Sequence, residues 1–178
     1  MKFLHLGDLH LGKTLFDFDL NEDQRYILDQ ILCIAEKESV DGVLIAGDVY
    51  DKSVPSEAAT KLLDYFLIEL TKREIKVFMV SGNHDSDERL NYGSTLFASN
   101  QIFISAVFDG MLHRQSFAEE DTKINIYMLP FVKASQVRHY FPDEKIESYD
   151  DAVQTIIRNT DINKSNKNIL VAHQFEGG

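Results

Sequence analysis

Polar side chains of the kinds that bind divalent metals follow four of the short apolar runs in this sequence. The residues that carry these polar side chains are Asp8, His10, Asp48, Asp51, Asn83, His84 and His173. Carboxylates, imidazoles and an amide oxygen together form a mixed oxygen and nitrogen ligand set that suits a divalent ion. One such group alone would be a polar turn after a strand, but four groups, each after an apolar run, indicate a common site.

The chemistry that this ligand set predicts is hydrolysis of a phosphate ester. Asp8 and His10 are separated by one residue, which places both side chains on one side of an extended loop. Asp48 is the natural central ligand, because its two carboxylate oxygens can bridge two ions. Two divalent ions about 3.5–4 Å apart can hold the attacking and leaving oxygens of a phosphate ester and can generate hydroxide at neutral pH.

The first three apolar runs predict the strands that would position these residues. They lie at 2–7, 43–46 and 75–80, and the first is predicted to be a central strand. Helical patterns separate them, and this β-α-β-α-β-α order predicts parallel strands joined by right-handed crossovers. Ligands of such sheets collect beyond the carboxyl ends of the strands, which is where the polar groups stand.

Three helices are predicted between and after these strands. The first begins at Asn21, which has Gln24 three residues later in the spacing of a capping box. Its apolar face comprises Ile27, Leu28, Ile31, Leu32, Ile34 and Ala35. The second runs from Pro55 to about Arg73, and the third covers 90–100.

The second half of the chain predicts a further sheet packed on the first. Short strands are predicted at 102–104, 111–117, 124–129 and 168–172, and helices at 134–141 and 150–159. The predicted fold class is therefore α/β, with two packed mixed β-sheets flanked by helices.

The composition is that of a globular domain with a substantial core. The chain has 178 residues, of which 44% are apolar and 26% are charged. Cys33 is the one cysteine, so no internal disulfide can form, and the sequence shows no signal peptide or membrane span. These features predict a cytoplasmic protein. The net charge of −11 argues against binding nucleic acid through bulk electrostatics.

The polar groups resemble the ordered motifs of the calcineurin-like metallophosphoesterases. The matching segments are GDLH at 7–10, GDVYD at 47–51, GNHD at 82–85 and the histidine at the end of the last strand. Within that superfamily the segments at 3–13 and 88–93 are similar to the bacterial SbcD nuclease family. The likeness covers the whole chain and implies a sandwich with αββα layers.

This resemblance implies two metal sites. Asp8, His10 and Asp48 are expected to bind one ion, and Asp48, Asn83 and His173 the other. The metals implied are two divalent ions, most often Mn2+, although a mixed ligand set also accepts iron or zinc.

The resemblance also implies catalytic and substrate-binding residues. His84 is the expected catalytic histidine, which stabilises the phosphoryl group or protonates the leaving oxygen. A carboxylate should hold its ring, with Asp51 the first candidate and Asp85 the second. Substrate phosphates could contact the cations that follow the motifs, although each is equally well explained as a solvated surface charge. These cations are Lys13, Lys52 and Arg89.

One motif of the family does not occur in this sequence. The family has a Gly-x-His-x-His segment that completes both metal sites, and no histidine of this chain stands in that pattern. Residues 1–178 are therefore predicted to form a nuclease domain that is incomplete at its C-terminus. Weak metal binding and little or no activity are expected of these residues alone.

The function implied is that of a metal-dependent DNA nuclease acting in DNA repair. The resemblance implies exonuclease action on duplex DNA and endonuclease action on single strands or hairpins, together with an SbcC-type ATPase partner that has a long coiled coil. It also implies a homodimer through helices near 56–73 and 90–100. Tyr65 and Ile68 lie outside the main apolar face of the second helix, as such an interface requires.

Two other functions are compatible with the motifs. The first is a phosphatase or small-molecule phosphodiesterase of the same superfamily. Ser/Thr protein phosphatases carry arginine and glutamate at the positions of Lys52 and Asp85, so this chain departs from that branch. The second is a dimerisation or partner-docking fragment whose metal site is incomplete and inactive.

Overall fold

The computed structural model describes residues 1–16 and 18–174, and Asp17 and residues 175–178 lie outside the described part. Its strands are β1 (Phe3–Leu6), β2 (Thr14–Leu15), β3 (Phe18–Asp19), β4 (Gly42–Ala46), β5 (Lys76–Val80), β6 (Ile102–Ser105), β7 (His113–Glu119), β8 (Thr122–Leu129) and β9 (Lys167–Ala172). Its helices are α1 (Asn21–Lys37), α2 (Glu57–Lys72), α3 (Asp87–Asn91), α4 (Ser94–Ala98), α5 (Ala134–Tyr140) and α6 (Tyr149–Arg158). Among the described residues, no helix combines the length and apolarity needed to span a bilayer.

The first sheet is parallel throughout and has the strand order β1-β4-β5-β6. Strand β4 is buried along its whole length, which agrees with the continuous apolar run at 43–46. Strand β1 pairs with β4 alone among the described strands, so the prediction that it is central was wrong. The carboxyl ends of β1, β4 and β5 nevertheless meet at one edge, which brings three of the polar groups together.

The second sheet has the order β7-β8-β9 and mixes an antiparallel with a parallel pair. Side chains alternate along β4, so that Val43 and Ile45 join the core beneath α1 and α2, whereas Leu44 and Ala46 join the core between the two sheets. A third cluster lies under α5 and α6 on the far side of β8. The predicted α/β class with two packed sheets between helices is confirmed, although only the second sheet is mixed.

The helix starts follow the sequence pattern in one case and depart from it in another. Helix α2 forms where it is predicted and is capped by Ser56, whose side-chain oxygen accepts a hydrogen bond from the N–H of Ala59 at 3.1 Å. Helix α1 begins at Asn21, but the capping box does not form, and the Asp19 carboxylate accepts the Asn21 N–H instead. Gln24 turns away from the helix start and contacts the metal-ligand loop described below.

The predicted third helix at 90–100 is two short helices. Helix α3 ends at Asn91, and α4 begins after Gly93, whose φ of 76° lies in the left-handed region. A helix cannot pass through a residue in that conformation, so the chain changes direction there. The break leaves Tyr92 and Leu96 largely exposed, at 85% and 76%.

Replacing Phe78 with alanine should destabilise the domain by about 3–5 kcal/mol, because the ring fills the space between the two sheets. Phe78 is fully buried and contacts the rings of Phe3, Phe103 and Phe117. Chemical denaturation would measure the loss. Phe18→Ala is the matched control, since that ring is 74% exposed and its loss should change the free energy of unfolding by less than about 0.5 kcal/mol.

Candidate metal centre

Main-chain hydrogen bonds join the first two polar loops directly. The N–H of His10 donates to the Asp48 carbonyl at 2.9 Å, and the N–H of Leu11 donates to the Val49 carbonyl at 2.9 Å. These bonds extend the parallel pairing of β1 and β4 beyond the strand ends. They hold the two loops at a fixed separation, and the side chains of Asp8, His10 and Asp48 converge there.

Three of the predicted ligands have a left-handed backbone. The φ angles are 54° for Asp8, 43° for His10 and 49° for Asp48. Such conformations cost a non-glycine residue about 1–3 kcal/mol and persist where the surrounding structure enforces them. Their concentration in these two loops marks the loops as a site where side-chain direction matters more than local stability.

Gln24 supports the first of these loops from α1. Its side-chain oxygen accepts from the N–H of Gly12 at 2.9 Å, and its amide N–H donates to the His10 carbonyl at 2.8 Å. This role of Gln24 is not apparent from the sequence. No local pattern could have revealed it, because the contact depends on where α1 packs relative to the loop.

Asp48 is the centre of the site, and it is buried. Its Oδ1 accepts a hydrogen bond from the main-chain N–H of His84 at 2.9 Å. Its Oδ2 lies 3.6 Å from His173 Nε2, 3.7 Å from His10 Nε2 and 4.0 Å from His84 Nε2. Oδ2 is therefore the oxygen that faces the imidazoles, and Oδ1 is held by the main chain of the loop after β5; that the carboxylate bridges two ions stays a prediction.

His173 and Asn83 face each other across the second half of the site. His173 Nδ1 lies 3.0 Å from the Ala46 carbonyl, which requires that this nitrogen carries the proton. In the neutral ring Nε2 is then the unprotonated nitrogen, which a metal ligand requires, and it lies 3.2 Å from the side-chain oxygen of Asn83. This separation is that of two neighbouring ligands of one ion, so the pair fits a bound metal ion.

The spacing of the ligand atoms fits a metal as well. Two groups, His10–Asp48–His84 and Asp8–Asp48–His173, each place their ligand atoms within 4.8 Å of one another. Two ligands bonded at about 2.0–2.2 Å to one ion lie roughly 3–3.7 Å apart. The distances from Asp48 Oδ2 to His10 and His173 fall in this range, whereas the distance to His84 exceeds it.

His84 is held by the main chain and not by a carboxylate. Its Nδ1 lies 3.2 Å from the Asp51 carbonyl oxygen. The contact of this ring in the structure is thus with the Asp51 carbonyl, and a role for the Asp51 carboxylate in holding His84 stays a prediction. The ring is 47% exposed and meets the His10 ring edge-on at 5.0 Å, so its Nε2 is free to reach a substrate.

Asp85, the second candidate for that role, has a structural task instead. Its carboxylate is buried and accepts hydrogen bonds from the N–H groups of Val49, Tyr50 and Gly82 at 2.9–3.1 Å. Burial raises the pKa of this carboxyl, and the three N–H donors act in the opposite direction. Asp85 thus fastens the loop after β5 to the loop after β4.

The three cations predicted to contact substrate phosphates are exposed. Lys13 follows the first motif, Lys52 follows the second, and Arg89 lies in α3. Within residues 1–16 and 18–174, none of these side chains forms an ion pair, so each is available to a ligand. Their contact with a substrate stays a prediction.

Replacing Gly82 with alanine should lower Mn2+ affinity by about 10-fold or more, as expected when a ligand is displaced. An added Cβ would lie 2.1 Å from Asp48 Oδ1, so the central carboxylate would have to move. Isothermal titration with Mn2+ would measure the change. Gly7→Ala is the control in the same region, because its Cβ would meet its nearest neighbour, the Ala46 carbonyl, at 3.5 Å.

Comparison with known proteins agrees with this geometry. The family model described as calcineurin-like phosphoesterase matches residues 1–177. A curated relative, the D subunit of the nuclease SbcCD from Staphylococcus epidermidis (strain ATCC 12228 / FDA PCI 1200), is 41% identical over 185 residues, which cover 100% of this chain and 48% of the relative. The chain thus spans about half the length of the curated relative that it matches. On these matches and on the metal-ligand geometry at its sheet edge, the chain belongs to the calcineurin-like phosphoesterase family.

Proposed function

We propose that this protein is a metal-dependent DNA nuclease that hydrolyses phosphodiester bonds. The observation that carries the proposal is the convergence of three imidazole nitrogens on Asp48 Oδ2, at 3.6–4.0 Å, beside the facing acceptors of Asn83 and His173. A relative named as part of a nuclease, 41% identical over the whole chain, favours a nucleic acid over other phosphate esters. By this likeness the protein acts on duplex ends as an exonuclease and on single strands or hairpins as an endonuclease, in DNA repair.

Each residue of the site has a role in this proposal. Asp8, His10 and Asp48 hold one divalent ion, and Asp48, Asn83 and His173 hold the other, with Mn2+ the expected metal. When bound, such ions polarise the phosphate ester and activate the attacking water.

His84 acts on the phosphate and not on the metal in this proposal. Its Nδ1 is engaged by the Asp51 carbonyl, so in the protonated ring Nε2 carries the proton that can move. That nitrogen donates to the phosphoryl group and protonates the leaving oxygen, the role of a general acid. Lys13, Lys52 and Arg89 contact flanking phosphates.

Partners supply what the chain lacks for binding DNA. A net charge of −11 repels a polyanion, so an SbcC-type ATPase is proposed to provide much of the contact with the DNA backbone. The curated relative is named as one subunit of a nuclease, which supports an assembly of more than one kind of chain. Further histidines outside residues 1–178 are proposed to complete both metal sites.

A homodimer is also part of the proposal, through α2 and the α3–α4 region. Ile68, Tyr92 and Leu96 are 45–85% exposed, and they are apolar side chains that a second copy could cover. Tyr65 is not available for this interface, because its hydroxyl donates a hydrogen bond to Asp29 and its ring packs against the guanidinium of Arg25 in α1. Light scattering that found a monomer at high micromolar concentration would contradict the dimer.

The test of the nuclease function is DNA cleavage by the full-length protein with Mn2+, on linear duplexes, single strands and hairpins. Cleavage that EDTA stops and that Mn2+ restores would support the proposal. Hydrolysis of p-nitrophenyl phosphate without DNA cleavage would indicate a phosphatase. No hydrolysis of either substrate would favour a docking module with an inactive site.

A further inference from the structure

Asp51 carries two groups that point at two different imidazoles of the metal centre. Its main-chain carbonyl lies 3.2 Å from His84 Nδ1. Its carboxylate Oδ1 lies 3.7 Å from His10 Nδ1. The two contacts separate the residue into a main-chain part that serves one histidine and a side-chain part that faces the other.

His10 needs a partner at the nitrogen that faces Asp51. Its Nδ1 is buried and has no hydrogen-bond partner among the described residues, a state that destabilises a polar atom. Its other nitrogen, Nε2, faces Asp8 Oδ1 at 3.6 Å and Asp48 Oδ2 at 3.7 Å. Binding a cation through Nε2 leaves the proton on Nδ1, where a carboxylate is the strongest available acceptor.

The Asp51 carboxylate is available for this contact. Within residues 1–16 and 18–174, no hydrogen bond reaches it, and its side chain is 21% exposed. The Asp51 main chain is held next to His10, because the Asp51 N–H donates to the carbonyl of the adjacent residue, Leu11, at 3.1 Å. A side-chain movement of about 1 Å would bring the 3.7 Å separation to hydrogen-bond length.

We propose that Asp51 is a positioning residue for His10, whose Nδ1–H its carboxylate accepts, and that it holds His84 only through its main-chain carbonyl. Carboxylate–histidine–metal chains of this kind fix the ring and make it a better ligand. The proposal rests on the proposed metal function. It predicts that loss of the Asp51 side chain weakens metal binding at the first site more than it impairs the action of His84.

The test compares Asp51→Ala, Asp51→Asn and the wild type in the full-length protein, by Mn2+ titration calorimetry and by DNA cleavage at saturating Mn2+. Asp51→Ala should weaken the affected Mn2+ site by about 10–100-fold. At saturating Mn2+ its kcat should fall at least about tenfold less than that of His84→Ala, because the alanine keeps the carbonyl that holds His84. Asp51→Asn, which retains an oxygen acceptor, should give an intermediate Mn2+ affinity.

Asp143→Ala, at an exposed aspartate outside the site, is the control and should change neither quantity. Unchanged Mn2+ affinity together with a kcat loss like that of a His84 variant would overturn the proposal, as would no change in either quantity. If Asp51→Ala did not fold by circular dichroism, the nearly isosteric Asp51→Asn would decide, and wild-type Mn2+ affinity would again overturn it. Absence of DNA cleavage by the wild type would refute the nuclease function alone, because the affinity comparison does not depend on turnover.

Discussion

Asp48→Ala is expected to remove Mn2+ binding at both sites and to lower kcat/KM for DNA cleavage by at least about 1,000-fold. The reason is that Oδ2 of this one carboxylate faces both His10 and His173, at 3.7 and 3.6 Å, so it is the ligand atom that the two halves of the site share. Metal ions contribute several kcal/mol to stabilising the charge of a phosphoryl transition state, and each 1.36 kcal/mol is a factor of ten in rate.

Mn2+ titration calorimetry and a cleavage assay would measure these two losses on the same preparation. Asp121→Ala, in the exposed turn between β7 and β8, is the matched control and should behave as wild type. Circular dichroism and chemical denaturation must show that the Asp48 variant folds, because Oδ1 also receives the His84 N–H. A folded Asp48→Ala protein with wild-type Mn2+ affinity would remove this residue from the metal centre.

His84→Ala is expected to lower kcat by about 100- to 10,000-fold while Mn2+ affinity stays within about threefold of wild type. The imidazole lies 4.0 Å from Asp48 Oδ2, beyond the separation expected for two ligands of one ion, so its loss should not release the metal. The main-chain N–H that supports Asp48 remains in the variant. The expected pattern is therefore a defect in turnover with intact metal binding.

The measurements are single-turnover cleavage at saturating Mn2+ and Mn2+ titration. His113→Ala is the control, since that histidine is exposed, pairs with Asp109 and lies on β7. Cleavage by His84→Ala at the wild-type rate would show that His84 is not the general acid. A 10-fold or larger loss of Mn2+ affinity would instead make His84 a metal ligand, as its grouping with His10 and Asp48 permits.

The sequence predicted which residues meet at the site, because parallel strands bring their carboxyl ends to one edge. Once the runs at 43–46 and 75–80 are recognised as neighbouring strands, Asp48 and Asn83 must lie close together. His173 could be added from sequence only through the order of the motifs. Its meeting with Ala46 and Asn83 depends on how the second sheet packs against the first.

The roles of individual atoms could not be predicted in the same way. Asp85 is next to His84 in the sequence, and Asp51 is next to it in the fold. The sequence could not show whether either residue contacts His84 through its carboxylate or through its main-chain carbonyl. The structure places the Asp51 carboxylate toward His10 and buries the Asp85 carboxylate among three N–H donors. These choices follow from main-chain direction in two loops, which the types of residue alone do not fix.

The sequence by itself determined the family and the α/β class and predicted the ligand set, because hydrophobic periodicity and motif spacing are local properties of the chain. Tertiary structure alone decided that Asp48 presents one oxygen to the imidazoles, that Gln24 braces the first loop, and that Gly82 must lack a side chain. Each of these depends on atoms that approach within about 3 Å from distant parts of the chain. Such approaches are set by how the layers pack.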